Sequence, residues 1–153
     1  MTLKQTLQIS TLLGTLCLAS SAFSIQCFMT IVKDSCWINY NVTVDVIDAG
    51  NESVLLTIDI PKGTPWGRKS FDAHVKQRLM LRARFSPAIW GGEDDRQYFA
   101  TRYWALPETI DTEATSAWHI GACFPQNFSS VPLPADAGSN CHCDKSQLPD
   151  VKP

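Results

Sequence analysis

Residues 38–48 read INYNVTVDVID, and the order of polar and apolar side chains in this stretch decides the fold class. Ile38, Tyr40, Val42, Val44 and Val46 fall on one side of a two-residue repeat, and Asn39, Asn41, Thr43 and Asp45 fall on the other. Successive side chains of an extended chain point to opposite faces, so this alternation predicts a half-buried strand. Ala49, Gly50, Asn51 and Glu52 follow, residues that tolerate turn geometry. Alternation then resumes over 53–60, with Val54, Leu56, Ile58 and Ile60 inward and Ser53, Thr57 and Asp59 outward. Two such runs joined by a turn predict a β-hairpin, closed by Pro61 and Pro65.

Downstream of this hairpin, residues 66–71 predict a short edge strand. Residues 76–85 alternate again, with Leu79, Leu81, Ala83 and Phe85 inward and Arg78, Met80, Arg82 and Arg84 outward. Residues 97–106 carry aromatics on both faces and predict one strong strand covered on both sides. Strands at this spacing predict an all-β domain over residues 25–122, a small antiparallel β-sandwich of immunoglobulin-like architecture. The acidic stretch 108–118 predicts one short helix with Asp111 as a cap. From Cys123 onward Pro125, Pro132, Pro134, Pro149 and Pro153 predict an extended tail, 123–153, tethered by its cysteines and wrapped along the domain.

Upstream, residues 1–24 have the pattern of a cleavable signal peptide: Lys4, an apolar run densest over 12–19, then small residues that fit cleavage after Ser24, the favoured site, or after Ala22. Gln8, Ser10 and Thr11 break the run short of the roughly 20 apolar residues needed to span a bilayer. Cys17 lies within the run and Cys27 beyond it, so lipid attachment is not expected. No second apolar segment follows, so the mature chain is expected to lack a transmembrane segment, and the protein to be exported, periplasmic or extracellular. The lead segment has a bacterial cast. Three Asn-x-Ser/Thr triplets, at Asn41, Asn51 and Asn127, are glycan acceptors only in a eukaryotic secretory pathway.

The chain has 153 residues, 44% hydrophobic and 18% charged, as expected for one globular domain. A net charge of -2 and the export signal argue against nucleic acid as a partner. Six cysteines are present, and loss of Cys17 with the leader leaves Cys27, Cys36, Cys123, Cys141 and Cys143. In an oxidising compartment these are disulfide candidates, and their odd number leaves one thiol over. One bridge is expected within 27–36 or from there to the tail, and another from Cys123 to Cys141 or Cys143. The alternative is a metal or redox site built from His119, Cys123, Cys141, His142 and Cys143, thiolates and imidazoles that suit zinc or copper(I). Adjacent C-x-C spacing speaks for disulfides instead, and no cofactor is expected.

No nucleophile elbow, zinc-protease motif or glycine-rich phosphate loop occurs, so no enzyme is expected. Two features suggest binding. Lys76, Arg78, Arg82 and Arg84 form a basic outward row that suits an acidic partner, unless Asp45 and Asp59 on neighbouring strands neutralise it. Trp66 and Trp104, if exposed, suit stacking on a sugar or anchoring a protein. Glu93, Asp94 and Asp95 lack the spaced oxygen ligands of a calcium loop. The expectation is therefore a non-enzymatic binding or assembly module with a protein partner in a bacterial cell envelope or secretion assembly. A secreted carbohydrate-binding domain is the alternative.

Overall fold

The computed structural model describes residues 24–90, 96–110 and 117–151. Residues 1–23 of the expected signal peptide over 1–24, the acids 93–95 and the centre of the expected helix, 111–116, lie outside the described residues. The eight strands are β1 (Ser24–Lys33), β2 (Asn41–Asp48), β3 (Val54–Ile60), β4 (Trp66–His74), β5 (Arg78–Ser86), β6 (Tyr98–Phe99), β7 (Trp104–Ala105) and β8 (Trp118–Phe124). They form two sheets packed face to face, a small β-sandwich. The larger sheet has the order β3-β2-β5-β6, with β7 also on β5; the smaller has the order β4-β1-β8.

The expected hairpin is β2–β3: Val42, Val44 and Val46 oppose Ile60, Ile58 and Leu56, but a register shift between Val46 and Ile47 leaves Val54, expected inward, exposed. β5 pairs with the other side of β2, placing Arg82 opposite Asp45 and Leu81 opposite Val46. Leu79, Leu81, Ala83 and Phe85 of β5 are buried, as their alternation requires. β4 runs to His74, three residues beyond the expected edge strand, and is the edge of the smaller sheet. Gly67 permits its close approach to β3: a Cβ there would lie 2.9 Å from Ile58 Cγ2 and 3.0 Å from Ile60 Cγ1.

Two strands differ from the sequence reading. The single strand expected over 97–106 is broken into β6 and β7, because residues between them turn to the tail: the Thr101 amide donates to the Asn127 carbonyl at 2.9 Å. The helix expected over 108–118 is also corrected at its described ends, since Glu108, Thr109 and Ile110 are irregular and Trp118 opens β8. β8 lies parallel to β1, with Met29 opposite Ile120 and Ile31 opposite Ala122.

The core lies between the sheets, and Trp37, in a 3-10 turn over Ser35–Trp37, sits in its middle. Its ring centroid is 4.6 Å from Phe85 of the larger sheet and 4.9 Å from Phe124 of the smaller. Asp34 caps this turn by accepting from the Cys36 amide at 3.0 Å. Burial raises the Asp34 carboxyl pKa against the lowering effect of that bond.

The tail wraps the sandwich. Phe128 is buried against Phe124, and the Ser129 amide donates to the Phe99 carbonyl at 2.8 Å. Disulfides Cys36–Cys141 and Cys123–Cys143 then pin the tail to the turn after β1 and to β8. Farther on, Arg68 Nη1 of β4 donates to the Pro149 carbonyl at 2.8 Å. The tail thus crosses the outer face of the smaller sheet from β8 to β4, which explains why Thr30 and Val32, on the side of β1 away from the core, are buried.

Candidate binding surfaces

The outward face of the larger sheet carries the basic row. Arg82 Nη2 and Arg84 Nη1 lie 2.9 and 3.0 Å from one carboxylate oxygen of Asp45, itself 3% exposed. Thr57 Oγ1 donates to the other oxygen at 2.7 Å. Burial alone would raise the Asp45 pKa; the Thr57 hydroxyl and the two guanidinium groups outweigh it and hold the carboxyl below its ordinary value. Asp59 takes no arginine and accepts instead from Thr43 Oγ1 at 2.8 Å. Two of the four cations are therefore paired, as cross-strand pairing allows, but the single carboxylate offsets only one of their two charges.

Arg78 is different. Its guanidinium lies 4.7 Å from the centroid of the Tyr103 ring, and among the described residues it forms no ion pair. Tyr103 is 52% exposed, and Phe99, opposite Arg82 in the register, is 43% exposed. Half-buried Met80 lies between Arg78 and Arg82 on the same face. Lys76 is not on the strand: it occupies the β4–β5 turn with a φ of 59°.

The two tryptophans part company. Trp104 is buried at the inner side of β7, opposite Leu79, so the reading of it as an exposed platform is corrected. Trp66 is half-buried at the start of β4 on the other sheet, with Arg68 over its ring at 5.4 Å. Arg68 Nε donates to Thr30 Oγ1 at 2.7 Å, and Thr30 Oγ1 lies 2.8 Å from His119 Nε2. A guanidinium only donates, so Thr30 Oγ1 accepts from Arg68 while it shares a second hydrogen bond with the His119 ring. Burial, and then the Arg68 charge, lower the His119 pKa. Nothing in the local sequence signals this chain of three side chains, because each comes from a different strand.

The cysteines of the alternative metal site are spent. Cys123, Cys141 and Cys143 are in disulfides and are not available as thiolates, and His119 is engaged by Thr30. Asp34, Cys36 and Cys141 bring ligand atoms within 4.8 Å of one another, but the two sulfurs are bonded together. The odd thiol is Cys27, wholly buried in the core, where burial pushes its pKa up to about 11. A thiol so shielded is a structural apolar residue, not a nucleophile.

A groove of about 360 Å³ separates β8 from residues 102–107. Trp104, Leu106, Trp118 and Ile120 form its walls, with Arg102 at its rim over the Trp104 ring at 4.7 Å. Among the described residues no helix is long and apolar enough to cross a membrane. The chain matches no protein-family model, no curated protein and no solved structure.

Proposed function

We propose that this chain is an exported, non-enzymatic binding module of a bacterial cell envelope that docks on an acidic protein surface through the outward face of β5, β6 and β7. The observation that carries the reading is Arg78 stacked on exposed Tyr103 at 4.7 Å, without a carboxylate partner among the described residues. Arginine, tyrosine, phenylalanine and methionine are the residue types that anchor protein interfaces, and here they stand together on a rigid sheet. Stacking also holds the Arg78 head in place before any partner arrives, which reduces the ordering cost of binding. Two disulfides suit the oxidising conditions outside the cytoplasm.

The test is recovery of a tagged copy from its own cells in mild detergent, with the stoichiometry of co-purifying envelope proteins measured. A fixed ratio that is lost in Arg78→Glu and Tyr103→Ala supports the reading. Recovery as a lone monomer, or a ratio unchanged by both substitutions, rejects it.

A further inference from the structure

We infer that the free edge of β8 is a strand-addition site, which takes an extended peptide of a partner protein whose alternate residues are apolar and which carries an acidic side chain. Among the described residues β8 ends the smaller sheet, paired with β1 on one side only. The direction of its backbone groups follows from two contacts. The Asp34 amide donates to the Phe124 carbonyl, so that carbonyl points toward β1. The Cys123 amide donates to Asn127 Oδ1 at 2.7 Å, and the Cys123 carbonyl accepts from the Asn127 amide at 2.9 Å, so both Cys123 groups point away from β1. Backbone groups alternate along a parallel strand, so the amides and carbonyls of Gly121 and His119 also point away from β1. Asn127 of the chain's own tail fills one rung of this outer ladder, and the next two rungs are open among the described residues.

Sheet edges are ordinarily guarded by lysine, proline, a bulge or a covering segment. The sequence of β8, WHIGACF, has no lysine, proline or carboxylate. At its middle Gly121 is exposed, and a Cβ there would meet nothing within 4 Å. The 360 Å³ groove runs along this edge. A strand added beside His119 and Gly121 directs every second side chain into it, against Trp104, Leu106, Trp118 and Ile120. Among the described residues no carboxylate lines the groove and Arg102 stands at its rim, so an acidic residue on the added strand finds a complementary charge. The β8 edge belongs to the smaller sheet, and the two sites adjoin at Tyr103, which lines the far wall of the groove. Gly121 and Arg102 are not part of the basic face, so their variants test this site alone.

The probe is a panel of synthetic peptides that alternate valine, isoleucine or phenylalanine with threonine and carry one aspartate, titrated into the intact, oxidised protein. Expected are slowed hydrogen exchange at the His119 and Gly121 amides and affinity at least about tenfold above that of matched peptides with lysine in place of aspartate. Gly121→Pro removes an outward N–H without touching the β1 ladder and abolishes binding, whereas Gly121→Ala retains it. Arg102→Glu reverses the preference for aspartate and keeps the proposal testable should the proline variant not fold. The inference is overturned by unaltered exchange at both amides, by equal binding to Gly121→Pro, or by the edge pairing two copies into a dimer instead.

Discussion

The Lys33 ammonium lies 2.8 Å from the Tyr40 carbonyl oxygen in a residue that is 1% exposed. It also donates to the carbonyls of Pro61 at 2.9 Å and Ile38 at 3.4 Å. Backbone dipoles, with no carboxylate among these partners, hold the charge and tie the end of β1 to the chain entering β2 and leaving β3. Burial pushes the Lys33 pKa down from 10.5 to about 8. Between those values the unfolded chain keeps a proton that the folded chain has released, so stability rises with pH across that window, by about 3 kcal/mol in full. Cys27 acts oppositely: burial lifts its thiol from 9.0 to about 11, so its contribution falls as pH climbs through that range. Urea midpoints of Cys27→Ala, taken from about pH 7.5 to about pH 10.5, are expected to rise, and Lys33→Met in the same background to be flat and lower. A flat profile in Cys27→Ala alone rejects the burial of Lys33.

Asp45 joins β2 to both neighbours, through Thr57 on β3 and through Arg82 and Arg84 on β5. Asp45→Ala leaves these donors without their shared acceptor and is expected to cost about 2 kcal/mol in chemical denaturation, since Arg84 retains access to water. With a folded pKa below 3.8, the contribution of Asp45 is complete above that value and is lost as pH falls through the folded one. The acid-unfolding midpoint of Asp45→Asn is therefore expected to depend less steeply on pH than that of the wild type.

The two disulfides close loops of very different length, with separations of 105 residues for Cys36–Cys141 and 20 for Cys123–Cys143. By loop entropy, paired Cys→Ser replacement of the first costs about 4.7 kcal/mol and of the second about 3 kcal/mol. Calorimetry should rank the variants in that order. The opposite order would mean that anchoring the tail to β8, rather than loop closure, dominates.

Tyr103 and Trp104 are sequence neighbours with opposite surroundings. Trp104→Ala is expected to cost about 3 to 5 kcal/mol, as for a large core aromatic, and Tyr103→Ala less than about 0.5 kcal/mol. Thermal melts of the pair separate surface from core directly, and they establish that loss of partner binding in Tyr103→Ala is not loss of fold.

Where a strand has one wet and one dry face, its sequence shows it. β2, β3 and β5 are of this kind, and their alternation carries both their existence and their inward sets, except at Val54, which the register shift between Val46 and Ile47 leaves exposed. β1 and β8 were illegible for the same physical reason. Met29 and Ile31 of β1 face the core, while Thr30 and Val32 face the tail, so no polar face remains to mark the period. Trp118, Ile120 and Ala122 of β8 point inward, and Cys123 is covered by the tail. The break between β6 and β7 could not be read because its cause, Asn127, lies 26 residues away from Thr101. At the candidate surfaces, pairing of Arg82 and Arg84 with Asp45 was legible from strand order. The stacking of Arg78 on Tyr103 depends on how the chain turns after β6, and no local signal announces it.

The parallel pairing of β1 with β8 also governs the order in which the molecule can be completed. A chain delivered N-terminus first presents Met29 and Ile31 early, yet one neighbour of their strand is not available until residues 118–124 arrive. Both bridging partners in the tail, Cys141 and Cys143, arrive later still. Closing contacts this distant in sequence is slow compared with forming hairpins. The β2–β3 hairpin can form while the chain is still emerging, but the smaller sheet can be sealed only after residues 118–143 have been released.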